Sequence, residues 1–461
     1  MVKKRFDGWL IVSALLLVLF IAVLVYPMFG VIKQAVIMPD GSFSWEQFHK
    51  FFSNSYYVDT IYNSFKITIF VTVLTLVIGI PFAYFYAFYR LKGAKILFVV
   101  SILCCMSAPF LGAYSWVMLL GRSGVITKFF KTALGITLPS IYGFGGIALS
   151  QTLKFFPLVF IYMNGAFKSI DNTLMEASAN MGCTGVKRLF NIVLHLTMPT
   201  ILAATLMVFM QAFADFGTPT ILGEGFKTFP VLLYNEYLGE NGANFAAALA
   251  IIAVIVTAVI FFLQKWATGR FKFSINTLHP VEKKDAKGLG GFLMHLYCYL
   301  LCAVAILPQI YIIYLSFRNS KGSLFGVGYS LVNYQSALKK KLVLASSNTL
   351  VMGIIALAVI IVIAVVLAYL VVRRNNALNH SLDTIAMLPY IMPGAVIGIA
   401  LLIAYGSKPI ALTGTMAIMI MSFAIRRMPY TIRSATATLM QIPISIEEAA
   451  ISLGASKLKT F

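Results

Sequence analysis

The sequence has little charge, and acidic residues are the scarcest. Of 461 residues only 11% are charged, and 15 Asp and Glu stand against 36 Lys and Arg. Apolar residues make up 60% of the chain, which exceeds what a water-soluble globule of this length uses. The composition therefore disfavours a soluble enzyme and predicts an all-α polytopic membrane protein.

Cysteine and histidine are also scarce, with five of each. The cysteines form no paired extracellular framework: Cys104, Cys105, Cys183, Cys298 and Cys302. His295, Cys298 and Cys302 share one helix face, which is compatible with a metal site or with small residues packed between spans. One helix offers poor tetrahedral geometry, so we expect no metal site, no cofactor and no integral membrane enzyme with clustered ligands.

No Gly-Lys dipeptide occurs anywhere in the chain. The phosphate-binding Gly-x4-Gly-Lys-Ser/Thr loop is therefore absent. We expect that the chain is no enzyme and that any ATP used with it is hydrolysed by another subunit.

Long apolar runs recur along the whole chain, and several exceed the roughly 20 residues that a helix needs to cross a bilayer. They predict ten spans, at residues 9–32, 61–89, 96–120, 141–163, 198–222, 245–263, 292–317, 346–372, 382–405 and 411–425. The first run lacks a small-residue cleavage site, so we interpret it as a retained span and not as a signal peptide.

The cations are spread over short loops. With the N-terminus inside, inner segments hold 22 Lys and Arg and outer segments hold 12, which favours a cytoplasmic N-terminus. The net charge of +21 then indicates anchoring to anionic membrane lipid, and no binding of nucleic acid.

One spacing occurs twice, 272 residues apart. Pro157 is followed by Glu176, Ala177 and Gly182, and the second copy consists of Pro429, Glu448, Ala449 and Gly454. Asn-containing span starts, basic inner turns and the prolines 109 and 393 repeat at similar offsets. The chain therefore reads as two versions of one membrane unit.

The division is predicted as 1–264 for the first unit, with six spans and its repeated loop at 164–197. Residues 265–291 form a charged, Gly-containing cytoplasmic linker, and 292–461 form a second unit of four spans. Compared with the first unit, about two spans of an expected 12 are absent from the second, so we expect a truncated or partial chain.

Local physics offers a plain explanation of the repeated segment. Thr173 with Glu176, and Ser445 with Glu448, have the spacing of a helix capping box. Gly182 and Gly454 then stand where a left-handed glycine ends a two-turn helix. Such a short capped helix needs no partner, although capping alone does not require the same helix in both halves.

The pattern resembles the EAA motif of permease subunits of bacterial ATP-binding cassette importers, whose form is Glu-Ala-Ala, three residues, Gly, nine residues, Ile-x-Leu-Pro. The second copy matches through Ala450 and Gly454. The first copy departs from it at Ser178, which replaces the second alanine, and at His195, which replaces the proline. The resemblance covers essentially the whole chain in span order.

The resemblance implies a transmembrane permease of the type I importer fold in the bacterial inner membrane. It implies that residues 169–188 and 441–459, here named the first and second Glu-Ala segments, dock on a cytoplasmic ATPase dimer. The implied coupling residues are Glu176, Ala177, Gly182, Glu448, Ala449, Ala450 and Gly454. A further implied partner is an extracellular or periplasmic solute-binding protein.

The fused form is most similar to ferric-iron permeases, and putrescine, thiamine and phosphonate permeases are alternatives. Asp215 is the one acid deep in a predicted span, so it is either a residue of the translocation path or a cap for the break at Gly217 and Pro219. The alternative of another class is an ion-coupled secondary transporter, which usually carries several intramembrane acids.

Overall fold

The computed structural model describes residues 8–38, 40–239, 242–269, 281–321, 324–339, 341–374, 376–407, 409–440 and 442–460. These residues are overwhelmingly helical. The helices of the first half are α1 Gly8–Val36, α2 Glu46–Ser53, α3 Ser55–Phe88, α4 Ala94–Met106, α5 Pro109–Leu120, α6 Val125–Leu134, α7 Phe144–Lys168, α8 Asn172–Asn180, α9 Leu189–Leu196, α10 Met198–Phe213, α11 Gly217–Leu222, α12 Phe229–Leu238 and α13 Gly242–Gly269. A one-turn helix, Gly185–Arg188, lies between α8 and α9.

The second half continues the helical pattern. Its helices are α14 Gly288–Ser316, α15 Val332–Leu338, α16 Lys341–Arg373, α17 Ala377–Ala386, α18 Leu388–Ile391, α19 Gly394–Tyr405, α20 Met416–Met440, α21 Ile444–Ser452 and α22 Lys457–Thr460. The strands are short: β1 Tyr89–Arg90 pairs in parallel with β2 Lys284–Asp285, and β3 Arg318–Lys321 pairs with β4 Leu324–Tyr329 in a hairpin.

Six helices in the described part of the chain are long and apolar enough to cross a membrane, or up to nine spans if each bent pair is one. The all-α polytopic fold is confirmed. The run predicted at 411–425 lies mostly on α20, which starts at Met416 and carries Arg426, Arg427 and Arg433. This helix is not among the nine because its charges lower its apolarity.

The predicted span at 96–120 is broken, and the break has a counterpart in the second half. The chain bends by 101° where α4 gives way to α5, and by 112° before α19. Ala108-Pro109 stands at the first break and Met392-Pro393 at the second. Proline cannot donate the backbone hydrogen bond that would continue the preceding helix, so each break falls at the repeated proline.

Two compact units make up the chain. The first unit comprises residues 1–51, 233–258 and 336–461, and the second comprises 52–232 and 259–335. In the first unit α1 packs on α17 and α19, and α16 packs along α20. Buried Phe20, Leu24, Leu367, Ile397 and Met428 belong to its core.

Polar contacts join α1 to its neighbours in the first unit. The Ser13 hydroxyl donates to Asn379 Oδ1 at 2.8 Å, and both residues are about 1% exposed. The Tyr405 hydroxyl donates to the Ala22 carbonyl at 2.6 Å. Buried hydrogen bonds of this kind set the register between helices that have no hydrophobic preference for each other over lipid.

In the second unit α3 packs along α7, and α10 packs on both helices. Gly79 makes the close approach of α3 and α7 feasible, since a Cβ there would lie 2.8 Å from Val159 Cβ and 3.2 Å from the Phe156 carbonyl oxygen. Helix α14 packs on α4 and α5. Each compact unit thus takes its first long helix from the other half of the sequence repeat.

The described part of the predicted linker has structure of its own. Residues 265–269 continue α13, α14 begins at Gly288, and 281–287 run extended along the α3–α4 turn. Residues 270–280 lie outside the described part of the chain. The division at 1–264, 265–291 and 292–461 stays a prediction about the sequence repeat.

Candidate functional site

The two Glu-Ala segments contain helices of equal length that end in the same way. Gly182 and Gly454 have φ of 75° and 87°. The amide of Gly182 donates to Ala179 O and that of Cys183 to Ser178 O, while Gly454 and Ala455 donate to Ile451 O and Ala450 O. This is the Schellman arrangement of helix C-termini, in which glycine is favoured because its φ is positive. The predicted role of both glycines as helix terminators is confirmed.

The predicted capping boxes are wrong. Helix α8 begins one residue before Thr173, and its N-cap is Asp171, whose carboxylate accepts from the Thr173 amide at 2.9 Å. The Glu176 carboxylate accepts from Asn172 Nδ2 at 2.7 Å instead of turning back to the cap. Helix α21 has Pro443 at its N-cap and no side-chain cap. An Asp two residues earlier outcompetes Thr173 because a carboxylate accepts more strongly than a hydroxyl.

Each Glu-Ala segment is fastened in its own way. In α8, Met175 and Ser178 are buried, and the Ser178 hydroxyl donates to the Met175 carbonyl at 2.7 Å. Serine thus replaces the second alanine with its polar atom satisfied. Helix α21 has no buried residue. Instead Arg373, at the end of α16, pairs with Glu447 at 2.5 Å and donates to the Ile442 carbonyl at 2.8 Å.

The exposed face is the same in both segments. Glu176 and Glu448 are exposed, as are Ala177 and Ala449, and Ala450 is half-buried. Leu174 and Met181 are 44% and 78% exposed, and their counterparts 272 residues on, Ile446 and Leu453, are 60% and 90% exposed. Each segment therefore presents one carboxylate beside two unburied apolar side chains.

These apolar pairs and Arg373 were not among the predicted site residues. The apolar pairs have a sequence signal, because they obey the same 272-residue shift as the glutamates. No sequence signal points to the contact between Arg373 and Glu447, because the two residues are 74 positions apart along the chain.

The second departure from the motif lies at His195. Its Nδ1 lies 3.0 Å from the Phe190 carbonyl oxygen, and the chain bends by 73° between α9 and α10. The bend comes just after His195, where Thr197 is followed by Met198 and Pro199. The bend between α9 and α10 therefore forms without a proline at position 195, and Pro199 lies at it instead.

Asp215 follows α10, in the break before α11, and is 8% exposed. Its Oδ2 accepts from Gln151 Nε2 at 3.1 Å, and its Oδ1 accepts from the Thr218 amide at 3.4 Å. The second contact caps the backbone break, and the first ties it to α7. Gln151 is fully buried, and within the described residues its Oε1 lacks a partner.

His295 is not placed as a metal ligand. Its Nδ1 lies 2.6 Å from the Gly291 carbonyl oxygen and its Nε2 accepts from the Lys92 amide at 3.1 Å, so both ring nitrogens are used. Cys298 and Cys302 are buried among apolar neighbours in the second unit. Among the residues that the structure describes, no three His, Cys, Asp or Glu side chains converge on a metal-sized site.

Comparison with known families gives the class of protein to which this helical membrane chain belongs. Residues 76–273 match the family of binding-protein-dependent transport system inner membrane components. The chain belongs to this family, and it is a multi-pass inner-membrane permease of the ATP-binding cassette importer class. This decides against the ion-coupled secondary transporter.

Several individual permeases are similar to this chain in sequence. The chain is 29% identical to a putative ferric transport system permease protein of Haemophilus influenzae, over 98% of this chain and 73% of the relative. It is 30% identical to the ferric transport system permease protein of Actinobacillus pleuropneumoniae, over 98% and 66%. A putative 2-aminoethylphosphonate transport permease of Salmonella typhimurium is 21% identical over 57% of this chain.

Proposed function

We propose that this chain forms the path through which a bacterial importer passes ferric iron, and that α8 and α21 receive the motion of a separate cytoplasmic ATPase pair. The observation that carries the coupling role is the repeated exposed face. A carboxylate and two apolar side chains recur at the same positions, on helices of the same length with the same glycine end. Lone exposed apolar residues are ordinary, but two identical sets are not.

The chemistry of this face suits docking on a protein. Apolar side chains that become desolvated at an interface dominate its binding energy, and a neighbouring charge selects the partner. Glu176 and Glu448 can each accept hydrogen bonds from a cationic partner side chain. Two equivalent faces fit a partner present in two copies. Lys187 and Lys459, both exposed, offer a second charge of opposite sign in each segment.

The cargo is argued from the relatives. Those that cover 98% of this chain are named for ferric transport, whereas the phosphonate permease is less identical and matches only 57%. In this proposal a solute-binding protein delivers the iron from outside. The N-terminus and both Glu-Ala segments lie in the cytoplasm. ATP is hydrolysed by the separate ATPase subunits. Asp215 is a candidate residue of the translocation path.

The test reverses the charge of both docking faces. We expect Glu176→Arg with Glu448→Arg to abolish co-purification of the ATPase subunits and uptake of radiolabelled ferric ion, while the chain still inserts. Glu46→Arg, at an exposed glutamate of α2 outside the Glu-Ala segments, is the matched control and keeps both. Retained co-purification in the double variant contradicts the coupling role. If the wild-type chain binds the ATPase subunits normally but takes up no ferric ion, ferric iron is not the cargo.

A further inference from the structure

A cavity of about 270 Å³ lies in the second compact unit, between the first Glu-Ala segment and residues 281–284. One wall is the C-terminal end of α3, with Tyr84, and the start of β1, with Tyr89. The others are α8, through Asn172 and Glu176, and the extended strand that contains β2. The proposed coupling role uses Glu176 of this lining and assigns no function to the basic side chains of the cavity.

Three cations line the cavity, and two of them have unused donors. Arg188 donates through Nη1 to the Met175 carbonyl at 3.4 Å, a long bond, and its guanidinium also contacts the Tyr84 hydroxyl. Its Nε is buried without a partner in the described part of the chain. Lys284 is exposed and, among the described residues, takes part in no ion pair. A buried guanidinium nitrogen without an acceptor is costly, so its presence needs an explanation.

Lys283 adds to the positive field. Its ammonium donates to the Tyr86 carbonyl at 2.9 Å and lies 5.0 Å from the centroid of the Tyr86 ring. Partial burial, and then the neighbouring Lys168 ammonium, lower the pKa of Lys283. The site therefore already holds more positive charge than its surroundings neutralise.

Two carboxylates also line the cavity, and neither cancels these cations. Glu176 accepts from Asn172, and Glu282 is exposed. No ion pair within the described residues joins either glutamate to Arg188 or Lys284. The cavity keeps the opposite charges apart, which leaves room for a group that reaches both cations at once.

We propose that this cavity binds a phosphate group, held by the Arg188 guanidinium and the Lys284 ammonium. Arginine presents several donors to phosphate oxygens in a fixed fork, and lysine adds a mobile point charge. Tyrosines at the end of a long span, next to basic residues, also place the site at the depth of lipid headgroups. The phosphate comes either from an anionic phospholipid or from a soluble phosphate.

Binding would join two parts of the second unit that line the cavity. A phosphate between Arg188 and Lys284 links the first Glu-Ala segment to the strand after the linker. The second Glu-Ala segment is fastened differently, by the Arg373–Glu447 pair. The first segment alone would thus respond to the ligand.

The test uses the full chain purified in a maltoside detergent and a buffer that contains no phosphate. Thermal unfolding is followed with added inorganic phosphate or with added dioleoyl-phosphatidylglycerol. The site variants are Arg188→Gln with Lys284→Gln, and Lys284→Gln alone, which removes an exposed side chain without a described side-chain contact. The matched control is Lys92→Gln with Lys95→Gln, two exposed lysines outside the cavity lining.

We expect a ligand to stabilise the wild type and the control, and to need at least tenfold higher concentration in the double site variant. Stabilisation by phosphatidylglycerol and not by inorganic phosphate assigns a lipid source, and the reverse assigns a soluble one. The proposal is overturned if neither ligand stabilises the wild type, or if site and control variants respond alike.

Discussion

Single residues decide where the Glu-Ala helices end. Gly182 and Gly454 adopt positive φ, and each amide closes the last turn onto a carbonyl of its own helix. Nothing lies within 4 Å of a Cβ built on either glycine, so space does not require glycine there. The requirement is conformational, and an L side chain in this region costs about 1 kcal/mol.

We expect Gly182→Ala and Gly454→Ala each to lengthen or fray its helix end and to weaken ATPase docking, because Met181 and Leu453 precede these glycines. Binding of the ATPase to chain in nanodiscs measures the effect, and a loss of roughly fivefold per site corresponds to about 1 kcal/mol. Gly145→Ala is the control, since Gly145 is helical, has open space and has no positive φ. Equal binding by all three variants would argue against a role for the helix ends.

Arg373 and Arg188 contact different Glu-Ala segments and do so in different ways, although the sequence repeat makes the segments look equivalent. Arg373 fastens the second Glu-Ala segment through Glu447, and its side chain is 9% exposed. Arg188 belongs to the first Glu-Ala segment, and its Nε has no partner among the residues that the structure describes. Equivalent segments can therefore be held by arginines from different parts of the chain, which a spacing pattern does not reveal.

At the level of elements, the pairing of long helices repeats between the halves. Helix α3 packs along α7, and α16 packs along α20, and both α7 and α20 contain the repeated proline. The α3–α7 pair is tight at Gly79, where the helix surfaces come within reach of each other's backbone. Small residues at such crossings allow the close packing on which membrane helices depend.

We expect Gly79→Ala to destabilise the protein by about 1–3 kcal/mol, because the new methyl group would overlap Val159. The thermal unfolding midpoint in detergent should fall. Adding Val159→Ala should restore part of it, because one of the two Val159 atoms at 2.8 Å, the Cγ1 methyl group, is removed. Gly165→Ala, on α7 with no atom within 4 Å of its Cβ, is the control and should leave the midpoint unchanged. An undisturbed Gly79→Ala protein would contradict the close approach.

On the scale of the whole molecule, the compact units cross the sequence repeat. Helix α1 belongs to the unit that holds α16, α17, α19 and α20, and α14 belongs to the unit that holds α3, α4, α5 and α7. The first unit also takes residues 233–258 from the first half, so both units combine segments of the two halves. Neither half can therefore complete its own packing alone.

We expect Ser13 and Asn379 to be energetically coupled across 366 residues of sequence. Ser13→Ala, Asn379→Ala and the double variant should give a coupling of about 0.6–1.7 kcal/mol in thermal or denaturant unfolding. Ser381→Ala, on the same helix α17, serves as the reference partner, because its hydroxyl donates only to Ala377 O. Additive effects of Ser13 and Asn379 would mean that α1 does not depend on this contact.

Much of the fold follows from sequence patterns. Apolar runs predict the spans because unsatisfied backbone groups are too costly in lipid, so a long apolar run must be helical. The glycine ends follow from restrictions on one residue's backbone. The breaks at Pro109 and Pro393 have the same kind of cause, but the prediction of continuous spans at 96–120 and 382–405 missed them. The predicted helix start was wrong, because Asp171 and Thr173 both fit a cap and the carboxylate of Asp171 is the stronger acceptor.

The sequence by itself determined the membrane class, the duplication and the place of the Glu-Ala segments, since hydropathy and repeat spacing are local properties. Tertiary structure alone decided which helices form a unit, what fastens each segment, and that Arg188, Lys283 and Lys284 share one cavity. These are contacts between residues tens to hundreds of positions apart. Hydropathy does not predict these contacts, because apolar helices have similar hydropathy. Buried polar groups and close-packed glycines select which helices pack together.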